Sequence, residues 1–170
     1  MASVSEFEQE LNTHWPRLRR FAFALSRNPA DADDLVQAAV ERALRSASQW
    51  QVGTRFDSWM FRIVRNLWID TIRARGRHTA RFAPEEDGAR IGFDPRPGTD
   101  AAIDLARAMA AMQRLPDEQR EVVALILVDG LGYREVADML DLPIGTVSSR
   151  LVRGRKALLA LLGEKEQSRD

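Results

Sequence analysis

Along most of the chain, apolar residues recur every third or fourth position, and no segment sustains two-residue alternation. That periodicity predicts an all-α protein. Phe7, Leu11, Leu18, Phe21, Ala22 and Leu25 mark a first helix over about 5–26, with Pro16 expected to kink it or reset its start. Asn28 and Pro29 read as an N-cap followed by a proline at the first helical position. Asp31, Asp33 and Asp34 then fall in the first turn, where carboxylates complement the helix dipole. Leu35, Val36, Ala39, Val40 and Leu44 carry this second helix to about 48, and the loop QWQVGTRF leads to a third over about 57–77. Downstream, four shorter helices are predicted over about 100–112, 116–128, 133–140 and 144–162, with Gly130 and Gly132 punctuating the second gap.

The periodicity breaks once, over 82–99, where FAPEEDGARIGFDPRPGT holds three of the seven prolines and three glycines. A structureless loop of that length is unusual inside one compact domain, so the segment reads as a flexible acidic linker. The expected organisation is two small helical domains, 1–82 and 100–170, joined by 83–99.

Composition narrows the chemistry. There are no cysteines and only His14 and His78 among histidines, which excludes disulfide frameworks, thiolate zinc sites and cysteine nucleophiles. No paired acid and base, nucleophile or metal cluster stands out, so neither an enzyme, a metal nor a cofactor is expected. The longest apolar run, 122–128, is far shorter than the roughly 20 residues that span a bilayer. The opening MASVSEFEQE lacks the basic-then-apolar order of a signal peptide, and a cytoplasmic protein without membrane insertion is the expectation.

A net charge of zero argues against nucleic acid until it is divided by segment. Residues 1–82 carry 13 arginines against 9 acids, whereas 83–100 carry 2 against 5. Residues 101–170 are nearly balanced, yet Arg150, Arg153, Arg155 and Lys156 lie in a stretch with no acid between positions 142 and 163. Local basic faces set the attraction to phosphate.

The stretch YREVADMLDLPIGTVSSRLVRGRKALLALL, 133–162, has helix-turn-helix spacing. Val136, Ala137 and Leu140 face inward from its first helix, and Val147, Leu151, Leu158 and Leu161 from its second. The opposite face of the second helix presents Ser149, Val152, Arg153 and Lys156, flanked by Ser148 and Arg155. Serines can hydrogen-bond base edges or phosphates, and arginines can fork onto guanine or grip the backbone. Backbone N–H groups of the first turn, 145–149, are candidate phosphate donors. An amphipathic hairpin with a solvated basic face is the competing reading.

In the third helix, RFDSWMFRIVRNLWIDTIRARGR, arginines and aromatics interleave. Single-stranded DNA needs both, for phosphate attraction and for stacking on unpaired bases. Trp59, Ile63 and Leu67 fit a core stripe instead. Trp50 and Phe56, flanking a glycine-containing loop, are less easily explained by packing, and such a loop could cradle a flipped base. The second helix, with Gln37, Glu41 and Arg45 on its polar face, reads alone as a solvated surface.

Taken in order, DADDLVQAAVERAL, FDSWMFRIVRNLWIDTIRARGR, the acidic linker and LPDEQREVVALILVDGLGYREVADMLDLPIGTVSSRLVRGRKAL resemble the extracytoplasmic-function (group IV) sigma factors of bacterial RNA polymerase. The resemblance implies that Asp31, Asp33, Asp34, Leu35, Gln37 and Glu41 dock on the clamp helices of the polymerase β′ subunit. It implies that the loop 50–56 and the third helix melt and read the minus-ten promoter element, through Trp50, Arg55, Phe56, Arg62, Arg65, Asn66, Asp70, Arg73 and Arg75. In the second domain it implies a minus-thirty-five reader, with Gly145, Thr146, Ser148, Ser149, Arg150, Val152, Arg153 and Lys156 at the DNA. Implied partners are core polymerase (β′ clamp helices and β flap), promoter DNA and an anti-sigma factor, and the linker would thread the active-site cleft and RNA exit path. Ser148 and Val152 depart from the commoner basic or larger residues of the family, which bears on the promoter sequence read. Two other readings remain: a helix-turn-helix regulator that needs no polymerase, and a sigma mimic that only sequesters an anti-sigma factor.

Overall fold

The computed structural model describes residues 4–47, 50, 53–79 and 100–166, and among these no strand occurs. The chain divides into two compact units, Met1–Arg90 and Ile91–Asp170. The linker expected at 83–99 lies outside the described residues.

The first unit packs α1 (Val4–Ser26), α2 (Pro29–Arg45) and α3 (Phe56–Thr79) against one another. Asn28 caps α2 as expected, its Oδ1 accepting from the N–H groups of Ala30 (2.8 Å) and Asp31 (3.1 Å). The helix ends at Arg45, short of 48: at Ser46 the N–H is shared between the Arg42 (3.1 Å) and Ala43 (3.0 Å) carbonyls, a tightened last turn, and the hydroxyl donates to the Arg42 carbonyl (2.9 Å). Pro16 does not reset α1, which runs through it. The ring sits on the exposed side, where water can satisfy the carbonyl that loses its N–H partner.

Leu18, Phe21, Ala22 and Leu25 of α1, Val36, Ala39 and Ala43 of α2, and Met60, Phe61 and Val64 of α3 form the core. Phe21 meets Phe61 edge to face, ring centroids 5.1 Å apart. The expected α3 stripe of Trp59, Ile63 and Leu67 is only half-buried. The inward face is rotated by about one residue, since α3 lies against α1 and α2 together and both positions of the Met60–Phe61 pair are enclosed.

The second unit contains α4 (Asp100–Met112), α5 (Asp117–Val123), α6 (Tyr133–Leu140) and α7 (Ile144–Glu166), with α7 packing on the other three. The single helix expected over 116–128 is α5 continued by a wider π turn, Ala124–Val128, in which the Asp129 N–H reaches back five residues to the Ala124 carbonyl (3.0 Å). Gly130, at φ +73°, then turns the chain so that the Leu131 N–H reaches Leu125 O and the Leu131 side chain enters the core. Val122, Val123, Val136, Leu140, Val147 and Leu151 are buried around it. Arg120 is buried too, donating to the Leu115 carbonyl (2.9 Å) and the Asp117 carboxylate (2.8 Å). Between α6 and α7, Asp141 adopts φ +54°, and the N–H groups of Asp141 and Leu142 both return to Ala137 O. Among the described residues no helix is long and apolar enough to cross a membrane.

The rotated α3 face has a measurable consequence. Phe61→Ala is expected to cost about 3–5 kcal/mol in chemical denaturation of the protein, and Leu67→Ala roughly 1 kcal/mol; equal losses would contradict the core described.

Candidate nucleic-acid interface

In the first unit the candidate surface is the outer side of α3, and one carboxylate sets where that helix begins. Asp57, 5% exposed, accepts from Arg17 Nη1 of α1 (3.0 Å), from Arg55 Nε (3.2 Å) and Nη2 (2.8 Å), and from its neighbour's Ser58 N–H (2.9 Å). Burial works against its ionisation, but the hydrogen bonds from Arg55, Arg17 and Ser58 prevail and hold the carboxyl at about 2. Arg55, expected at the DNA, is thus committed to the start of α3.

From there the helix places Arg62, Asn66, Asp70 and Arg73 in one exposed stripe; at 100° per residue they span an arc of about 80°. Arginines at both ends with an amide and a carboxylate between them can grip phosphates and hydrogen-bond base edges. Arg65 lies beside the stripe and is half-buried. Arg75 does not join it. Half a helical turn away, its guanidinium donates to Asp31 of α2 (3.2 Å) and lies 5.9 Å from the Trp68 ring centre.

Trp50 and Phe56 correct the expectation most clearly. They are 5% and 2% exposed, and both meet Phe7 of α1 edge to face, with centroids 6.5 Å and 5.4 Å away. Trp59 and His14 pack on Phe56 as well. Core packing therefore accounts for both rings, and neither offers an open face to a base. Residues 51–52 of this loop lie outside those described.

On α2, Asp34, Gln37 and Glu41 are exposed, with Glu41 near Arg45 (3.5 Å). Leu35 belongs to the core, since it shares the buried Ala32–Val36–Ala39 side of the helix. Asp33 accepts two hydrogen bonds from Arg19 of α1, at 2.6 Å and 3.1 Å, which lower its pKa. Asp31 and Asp33 thus also tie α2 to its neighbours.

In the second unit α7 presents Ser149, Val152, Arg153 and Lys156 to solvent, with Val152 64% exposed. Ser149 donates to Thr146 O (3.0 Å), while Arg153 donates to the Ser149 carbonyl and hydroxyl (3.2 and 3.3 Å), so the polar side chains are ordered along the helix. Gly145 is exposed, and Thr146 and Ser148 are half-buried beside the face. The N–H groups of Thr146 and Val147 already donate to Pro143 O (2.9 and 3.2 Å), which removes them from the expected phosphate cradle. Arg150 departs from this exposed face: it is half-buried and ion-pairs with Glu118 of α5. Arg120, Asp57 and Gly154 are the structural residues that periodicity left unmarked. Arg55 two residues before Asp57 was the only local signal for that ion pair. Among the described residues no group of three or more His, Asp or Glu is gathered for a metal ion.

Two helical units, one with an arginine-edged α3 and one with an exposed helix-turn-helix face, define a class of transcription protein. Residues 11–78 match Sigma-70 region 2 and residues 105–158 match Sigma-70, region 4. The chain belongs to the extracytoplasmic-function (ECF) RNA polymerase sigma factors, a family of transcription initiation factors and not enzymes. It is 37% identical to ECF RNA polymerase sigma factor SigE of Mycolicibacterium smegmatis, over 92% of this chain and 62% of that protein. It is 36% identical to ECF RNA polymerase sigma factor EcfG of Rhodopseudomonas palustris, over 86% of this chain and 80% of that one. Among solved structures, the sigma factor RpoE in complex with the anti-sigma factor NepR from Bartonella quintana superposes with a TM-score of 0.80 at 34% identity. That match covers 94% of this chain and 98% of the other. CnrH, solved in complex with the cytosolic domain of CnrY, gives 0.67 at 26% identity, covering 96% and 91%.

The Asp57 cluster predicts a pH dependence. A carboxyl near 2 in the folded chain and 3.8 unfolded contributes stability above about pH 4 that is lost as pH falls toward 2. Asp57→Asn is expected to cost about 1–3 kcal/mol at pH 7 and to flatten the decline between pH 4 and 2. An unchanged acid slope in urea denaturation would remove Asp57 from this role.

Proposed function

We propose that this protein is an alternative sigma factor that binds core RNA polymerase, recognises minus-thirty-five and minus-ten promoter elements, and promotes promoter opening. The observation that carries the reading is the exposed Arg62–Asn66–Asp70–Arg73 stripe, on a helix inside the segment that matches sigma-70 region 2. Arginine attracts the phosphates of a displaced strand, while the amide and carboxylate discriminate bases by hydrogen bonding. Opening then needs no chemistry by this chain, because binding energy for unstacked bases offsets their unpairing.

The outer face of α7 is assigned to the minus-thirty-five element, through Ser149, Val152, Arg153 and Lys156. Docking on the β′ clamp helices is assigned to the exposed Asp34, Gln37 and Glu41 of α2, and contact with the β flap to the second unit. An anti-sigma factor is the proposed inhibitor, a reading supported by the similar sigma factor RpoE, which was solved in complex with the anti-sigma factor NepR. The 83–99 linker, with its acids, is assigned to the polymerase channel built for RNA. Action in the cytoplasm follows from these partners, and control of a stress or envelope regulon is part of the same reading.

Run-off transcription with core polymerase and a genomic fragment library tests the proposal. Discrete start sites that require the protein are expected; their absence with folded, uninhibited protein would overturn it. On a fragment so recovered, Arg62→Ala with Asn66→Ala is expected to reduce opening by about tenfold or more, the worth of one or two base contacts. Polymerase binding should stay within about twofold, and undiminished opening would remove α3 from the reading role.

A further inference from the structure

We infer that Gly154 and the Glu118–Arg150 ion pair are positioning residues for promoter reading, because they set how closely α7 seats on α5. This rests on the assignment of the outer α7 face to the minus-thirty-five element.

Gly154 is buried where α7 crosses α5. A methyl group there would lie 2.8 Å from Val123 Cγ2, 3.2 Å from Gln119 Cβ and 3.4 Å from the Gln119 carbonyl oxygen. Carbon atoms prefer about 3.5–4.0 Å, and Val123 is fully buried and β-branched, so it cannot swing clear. Any side chain at 154 therefore pushes the two helices apart by about 1 Å. One turn earlier on the same side, Arg150 is held by Glu118 of α5, which resists rolling or sliding of α7.

The direction of that push gives the inference its content. At 100° per residue, Gly154 stands about 150° from the centre of the arc formed by Ser149, Val152, Arg153 and Lys156, on the far side of the helix. Displacement at Gly154 is thus transmitted across the helix to the reading face. Hydrogen bonds to base edges survive only within a few tenths of an ångström of 2.7–3.2 Å. Attraction to phosphate extends over a screening length of about 8–10 Å and barely registers a 1 Å move. Sequence discrimination and general DNA affinity should therefore separate in a Gly154 variant. A residue needed only for folding would lower stability without separating them.

The test uses holoenzyme reconstituted from core polymerase and the full chain. Its substrates are a promoter recovered by run-off transcription and the same fragment with its minus-thirty-five element scrambled. Gly154→Ala is expected to reduce the intact-to-scrambled affinity ratio by about tenfold or more, while binding to the scrambled fragment stays within about twofold. Val123→Ala combined with Gly154→Ala removes the atom that the new methyl meets and should restore most of the ratio. Glu118→Gln, which leaves the apolar contact in place, should lower the ratio by a few fold and covers the case in which Gly154→Ala fails to fold. An unchanged ratio in folded Gly154→Ala, or in Glu118→Gln when Gly154→Ala does not fold, would overturn the inference. So would a double variant that regains thermal stability but not discrimination. If the unsubstituted protein itself shows no discrimination, the minus-thirty-five assignment fails instead.

Discussion

A carboxylate withdrawn from water must find donors, and the demands of Asp57 organise the first unit. Three kinds of donor converge on it: an arginine from α1, an arginine from the preceding loop, and the backbone at the start of α3. Removing any one leaves a buried charge undersupplied, which is costlier than never having formed the pair. The same Arg17 lies 5.4 Å from the Phe61 ring centre, so the ion pair and the apolar core are joined at one side chain. The start of α3 is fixed against α1, and the exposed stripe that begins at Arg62 inherits its direction from that anchor.

The second unit reaches the same end by different physics. Its helix α7 is held by close packing at Gly154 and by an ion pair at Arg150, with Arg120 satisfied inside the α4–α5 corner. In both units the residues that hold the helix and those that face outward lie on opposite sides of it. Some of the arginines that a charge count assigns to DNA belong to the holding set: Arg55, Arg75 and Arg150 each face a carboxylate of the protein itself. Arg62, Arg73 and Arg153 remain on the outward faces.

Helices, caps and the helix-turn-helix were legible in the sequence because they are local: Asn28 caps with its own side chain, and Val136, Ala137, Leu140, Val147 and Leu151 obey one period. The family was legible from two ordered motif blocks. What periodicity could not resolve depends on distant partners. Trp50 and Phe56 look like exposed loop aromatics until Phe7, more than forty residues earlier, closes over them. Leu35 sits among acidic neighbours but faces the core, and Arg75 is drawn to Asp31 across the α2–α3 contact. The need for glycine at 154 arises only where α5 comes within touching distance, a constraint that no spacing rule contains.

The central claim is that promoter opening is driven by binding alone, with unpaired bases held against the outer side of α3. The most direct measurement is the fluorescence of 2-aminopurine placed in the non-template strand of the minus-ten element, with reconstituted holoenzyme and no nucleotide present. A rise that needs only holoenzyme, and disappears when core polymerase or this protein is omitted, is the predicted result. No rise, or a rise that requires nucleotide hydrolysis, would contradict it.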